Sequence, residues 1–171
     1  RRRGDGLRPG GPAASRSRQG QGQEAWGGIR QGGPVSLFVD TSVWYAAADS
    51  SDTSNPRARE ILSGGEALVT TDHILVETWT LLRWRIHRGA AEAFWQGLRK
   101  GVAQLETVGP ADLQAAWTMG SSFPDQDFSL VDRTSFAVME RLGLERAASF
   151  HRDFAVYRWG PDRQRAFEVL S

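Results

Sequence analysis

Three carboxylates in this 171-residue chain stand where a charge is out of place. Asp40 closes the apolar run Leu37-Phe38-Val39, which reads as a buried strand whose end points into the crevice where open α/β sheets take their ligands. Glu77 lies in "DHILVETWTLLRWRIHRG", where Leu75, Trp79, Leu82 and Ile86 trace a core stripe with Ile74, Thr78 and Leu81 beside it. It sits about 40° from Leu81 around a helix turning about 100° per residue, so it borders the buried face. Asp132 repeats the arrangement in "SLVDRTSFAVMERLG", aligned with Phe136 and Met139 beside a stripe of Val131, Ser135, Val138 and Leu142. An inward carboxylate is costly unless something positive meets it.

Each acid also has a plainer role. Asp40 suits the N-cap of a helix starting near Ser42, Glu77 could meet an arginine elsewhere in the fold, and Ser129-Leu130-Val131-Asp132 has the form of a capping box. Taken together, the three suggest one anionic pocket. Oxygen ligands favour Mg²⁺ or Mn²⁺ over zinc; His73, four residues before Glu77, would begin a zinc pair but has no third ligand near it. Such a pocket suits phosphodiester hydrolysis, in which divalent ions activate water and stabilise the leaving alkoxide. Without metal, crowding should raise the pKa of at least one carboxylate.

The elements that must hold these acids alternate between strand and helix signals from Val35 onward, which predicts a parallel sheet covered by helices. Strands are expected at "VSLFVD", "EALVTT", "AQLETVG" and "RAASF", with an edge strand at "RAFEVL". Helices are expected at "NPRAREIL" with Asn55 as cap, from Asp72 as cap to Gly89 as stop, at "AAEAFWQGLRKG", at "PADLQAAWTMGSS", and from Ser129 as cap to Gly143. Residues 1–34 hold ten of the nineteen glycines and almost no apolar residue. They should form a disordered arm ahead of one domain over 35–171. That arm reads either as an electrostatic tether to nucleic acid or as a leader without a role.

The net charge of +1 conceals a division. Residues 1–34 carry seven arginines against two acids, and residues 35–171 carry fourteen basic against eighteen acidic groups. The domain itself is acidic. The absence of cysteine removes disulfides, thiolate catalysis and Cys-based zinc sites. No apolar run approaches the ~18 residues that span a bilayer, and a cytoplasmic protein is expected.

"FVDTSVWYAAAD", "TTDHILVETWTLL" and "FSLVDRTSFAVMERLGLERAASFHRDF" resemble the successive acidic motifs of PIN-domain ribonucleases, and most of all the VapC-type toxins of bacterial toxin–antitoxin pairs. The resemblance runs over residues 36–170 and implies a three-layer α/β/α fold with a mainly parallel sheet, a Mg²⁺- or Mn²⁺-dependent endoribonuclease site, a homodimer, an RNA substrate and a VapB-type antitoxin partner. It makes Asp40, Glu77 and Asp132 metal ligands, with Thr41 or Ser42 positioning the first carboxylate or a water. The family's fourth acid falls in F-D-x-[DH]-F, where this chain reads Phe150-His151-Arg152-Asp153-Phe154. His151 stands at the usual acid position, so either it joins through water, or Asp153 supplies a fourth catalytic carboxylate, or Asp153 merely begins a helix. That departure also supports a catalytically silent PIN-like module that binds RNA or protein. A haloacid-dehalogenase-type phosphatase would want D-x-D, and Ser42 occupies the second position.

Other charged residues are read against these. Asp125 and Asp127 are expected as solvated turn formers, and Asp112 as a helix-dipole complement. Arg83, Arg85 and Arg88, interleaved with Trp84 and His87, read equally as RNA contacts or as a solvated helix end. Trp44 and Tyr45 read as core or dimer-interface residues.

Overall fold

The computed structural model describes residues 36–171, and the arm expected over 1–34 lies outside them. Five strands form one sheet in the order β3-β2-β1-β4-β5, each neighbouring pair parallel. β1 (Ser36–Val39) is central, and its Leu37, Phe38 and Val39 are wholly buried. A strand covered on both faces is apolar throughout instead of alternating. β2 (Ala67–Thr71) and β3 (Gln104–Glu106) extend the sheet on one side; β4 (Arg146–Ala148) and β5 (Glu168–Leu170) extend it on the other. Chain order therefore reverses between β1 and β4. Their carboxyl ends flank the switch point where such sheets bind ligands.

Among the described residues seven helices connect and cover the strands: α1 (Thr41–Ala48), α2 (Asn55–Leu62), α3 (Asp72–Arg85), α4 (Arg88–Arg99), α5 (Pro110–Ser122), α6 (Leu130–Leu142) and α7 (Asp153–Val156). This is the expected α/β/α arrangement. Phe136 of α6 anchors one layer, stacking on Tyr157 at 4.2 Å and meeting the edges of Phe154 and Phe128 at 5.0 and 5.3 Å. Burying an aromatic of this size contributes about 1.5–3 kcal/mol. That packing fixes α6, and with it Asp132, against the sheet.

The helix boundaries differ from expectation at α2, α3 and α4. Thr71, not Asp72, caps α3, its Oγ1 accepting from Ile74 N at 3.1 Å. Asp72 Oδ1 instead accepts from His73 N and Val108 N, each at 3.0 Å. Ser54 holds the cap position of α2, while Asn55 Nδ2 donates to the carbonyls of Ala46 and Ala47 at the end of α1. α3 stops at Arg85 instead of reaching Gly89, because His87 Nδ1 accepts from Ala90 N and opens α4. Ser129 and Gly143 bound α6 as expected; Gly143 adopts φ +67°, a left-handed C-cap that suits glycine. Among the described residues, no helix is long and apolar enough to cross a membrane.

Candidate active site

The end of β1, the first turns of α1 and α6, the face of α3 and the β4–α7 loop enclose a cavity of about 440 Å³. Asp40, Glu77 and Asp132 all line it, together with Thr41, Ser42, Phe150 and His151. Asp153 does not. The three acids thus come from separate elements, 92 residues apart along the chain at the extremes, and meet at one opening.

Asp40 is both an N-cap and a pocket residue. Its Oδ2 accepts from Ser42 N at 3.3 Å, Ser42 Oγ at 2.6 Å and Ser149 Oγ at 2.9 Å. The two hydroxyls are themselves fixed by the β4–α7 loop, since Ser42 Oγ accepts from Phe150 N and Ser149 Oγ from His151 N, each at 3.0 Å. Glu77 Oε2 accepts from Thr41 Oγ1 at 2.5 Å. Asp132 completes the capping box, its Oδ2 accepting from Ser129 N at 2.8 Å while Ser129 Oγ accepts from Asp132 N. In each carboxylate the hydrogen bonds fall on one oxygen, so among the described residues Asp40 Oδ1, Glu77 Oε1 and Asp132 Oδ1 are left without a donor.

No arginine meets the three acids: among the described residues none of them forms an ion pair. Burial pushes the Glu77 carboxyl above its ordinary pKa, and the charges of Asp40 and Asp132 add to this against the lowering effect of Thr41. Burial likewise raises Asp132, with further repulsion from Asp40 and Asp153 opposing the donors of Ser129. Among the described residues no three acids or histidines are already gathered into an ion cage. The donor set nevertheless fits a hard divalent cation: three carboxylates, each with a free oxygen, around one opening.

The remaining candidates separate clearly. His73 Nδ1 lies 3.1 Å from Thr134 Oγ1, between α3 and α6, and does not line the pocket. Asp153 is the first residue of α7, and its Oδ2 stands 3.4 Å from Nδ1 of the largely exposed His151. Asp125 and Asp127 are exposed and outside the pocket, as turn formers should be. Asp112 does more than complement a dipole: it is buried, accepts from Gly109 N at 2.9 Å and pairs with Arg141 at 3.0 Å. Trp44 is buried against Phe94, but Tyr45 faces the cavity beside Arg85. The serine that sequence reasoning passed over is Ser149; its place at the carboxyl end of β4, beside β1, was the available signal.

Comparison with known proteins gives the chain's family. The PIN-domain family model matches residues 37–160. The 23S rRNA-specific endonuclease VapC20 of Mycobacterium tuberculosis is 37% identical over 121 residues, which span 70% of this chain and 92% of that protein. Ribonuclease VapC26 of the same organism is 24% identical over 106 residues, 61% of this chain and 78% of that one. The crystal structure of M. tuberculosis VapC20, described as a sarcin–ricin loop cleaving toxin, superposes with a TM-score of 0.65 at 34% identity, over 68% of this chain and 91% of that one. A parallel sheet with its acids at the switch point, and a family match over most of the described domain, place this chain among the PIN-domain proteins, as a ribonuclease of the VapC toxin type.

Proposed function

We propose that this toxin is a Mg²⁺- or Mn²⁺-dependent endoribonuclease whose metal ligands are Asp40, Glu77 and Asp132. The observation that carries this reading is the trio of donor-free carboxylate oxygens on one cavity with no cationic side chain paired to them. A divalent ion there supplies the activation of water and the neutralisation of phosphoryl oxygens that phosphodiester hydrolysis needs. Ser42 and Ser149 hold Asp40 through Oδ2, Thr41 holds Glu77, and Ser129 holds Asp132. His151 lines the rim in place of the family's usual acid, and Asp153 steadies its ring from outside the pocket.

The RNA to try first is the 23S rRNA sarcin–ricin loop, the target named for VapC20. A VapB-type antitoxin is the proposed inhibitor, a homodimer the proposed assembly, and the cytoplasm the proposed compartment. The full chain should cleave a sarcin–ricin hairpin with Mg²⁺ or Mn²⁺ and not with chelator, and Asp40→Asn should reduce cleavage at least about 10²-fold, given that hydroxyls merely supporting a ligand are worth 10–100-fold. Equal cleavage by both proteins would refute the role of Asp40. RNA binding without metal-dependent cleavage would establish the silent module instead.

A further inference from the structure

The acidic cavity contains one guanidinium. Arg85, in the last turn of α3, lines it together with Tyr45 of α1, and its guanidinium carbon stands 5.9 Å from the Tyr45 ring centre. Glu77, Leu81 and Arg85 follow one another at four-residue steps and all three line the cavity, so one row of α3 forms a wall with a carboxylate at one end and a cation at the other. α1 braces both ends, through Thr41 on Glu77 and Tyr45 against Arg85, one turn apart. Arg85 forms no ion pair among the described residues.

The other cations near it do not line the cavity. Arg83 lies over the Trp84 ring at 5.8 Å, Arg88 pairs with Glu92 at 3.8 Å in α4, and the His87 ring caps that helix. Arg85 does not serve simply to balance the acids. Eight residues of helix set its Cα about 12 Å along the axis from that of Glu77, and it pairs with none of the acids among the described residues. Its three remaining properties are a planar donor fork, an aromatic brace that restricts its rotamers, and a position open to the groove. Those suit a phosphate oxygen.

We infer that Arg85, braced by Tyr45, binds a backbone phosphate of the RNA flanking the cut, so that the Glu77-Leu81-Arg85 row is the track along which the strand lies. The inference rests on the ribonuclease reading and adds the path of the substrate. The contacted phosphate is one flanking the scissile phosphate, not the scissile phosphate itself. Arg85 is therefore a binding residue and not part of the bond-breaking step.

The test uses the full chain with a sarcin–ricin hairpin, read by both cleavage kinetics and salt-dependent binding. Arg85→Ala should raise KM roughly tenfold with kcat nearly unchanged, the signature of a charge-assisted contact made equally before and during reaction. The slope of log affinity against log salt should shallow by about 0.7, the value for one phosphate contact on single-stranded nucleic acid. Arg85→Lys should restore the slope, because it keeps the charge, and only part of the KM, because it loses the planar donor fork held beside Tyr45. An unchanged KM and slope in Arg85→Ala would overturn the inference, as would a fall in kcat alone. If the parent binds but never cleaves, the nuclease reading fails; a slope change in Arg85→Ala would then still establish the phosphate contact.

Discussion

Ser149 Oγ donates to Asp40 Oδ2 at 2.9 Å across the seam between β4 and β1, tying the loop that carries His151 to the first carboxylate of the site. Both residues are buried, and the bond spans 109 positions of sequence. It aims Asp40 so that one oxygen is consumed by hydroxyls and the other remains for the cavity.

Ser149→Ala removes that donor without touching the carboxylate. Groups that orient a metal ligand are worth about 10–100-fold in metal affinity or activity. Mn²⁺ titration of the variant should show a loss of that size, with cleavage partly recovered at high Mn²⁺. Parental affinity in the variant would show that Ser149 serves only the fold.

Thr41→Val tests the second carboxylate. The hydroxyl is the larger of two influences, the other being the charge of His151, that hold the Glu77 pKa down against burial and its acidic neighbours. Without it Glu77 binds its proton more tightly, so the acidic limb of the cleavage profile should move to higher pH, with about a tenfold loss of metal affinity at neutral pH. An acidic limb that stays in place would separate Thr41 from Glu77.

Glu77→Gln should stabilise the metal-free protein. The folded-state pKa of Glu77 lies above the ordinary value of 4.5, so the native state holds a proton that the unfolded chain has released. Stability is then greatest below that ordinary value and falls as pH climbs through the raised one. In chelator at pH 7 the glutamine variant should melt above the parent, and the gap should close as pH falls toward 4.5. Mg²⁺ should stabilise the parent and not the variant. A lower melting temperature for the variant at pH 7, independent of pH, would contradict the repulsion described here.

Asp153→Asn addresses the departure at Phe150-His151-Arg152-Asp153-Phe154. Because Asp153 stands outside the cavity, and its carboxylate bonds only the His151 ring among the described residues while its charge merely adds to the repulsion on Asp132, its loss should cost no more than about tenfold in cleavage, the lower end for outer groups. A loss equal to that of Asp40→Asn would make Asp153 a ligand.

How much of this the sequence carried depends on the range of the interactions involved. β1, α6 and its caps, and the inward carboxylates were legible because they follow from local periodicity and from residues within four of one another. The break at His87 was not, since it turns on a ring nitrogen reaching Ala90 N where the preceding pattern continues smoothly. Ser42 and Thr41 were read as interchangeable supports, whereas the fold divides them: Ser42 serves Asp40 and Thr41 serves Glu77. That division depends on how α1 packs on α3, which no spacing in the sequence encodes. Arg85 was one of several cations near a helix end until Tyr45 placed it on the cavity.

The central claim is that Asp40, Glu77 and Asp132 hold a divalent ion between them. Anomalous scattering from crystals of the full chain grown with Mn²⁺ tests it most directly. We predict a peak roughly 2.0–2.2 Å from an oxygen of each of the three, the range for hard cations of this size, reached by small inward rotations of the carboxylates. A peak bound elsewhere, or none at saturating Mn²⁺ in a protein that cleaves RNA, would contradict it.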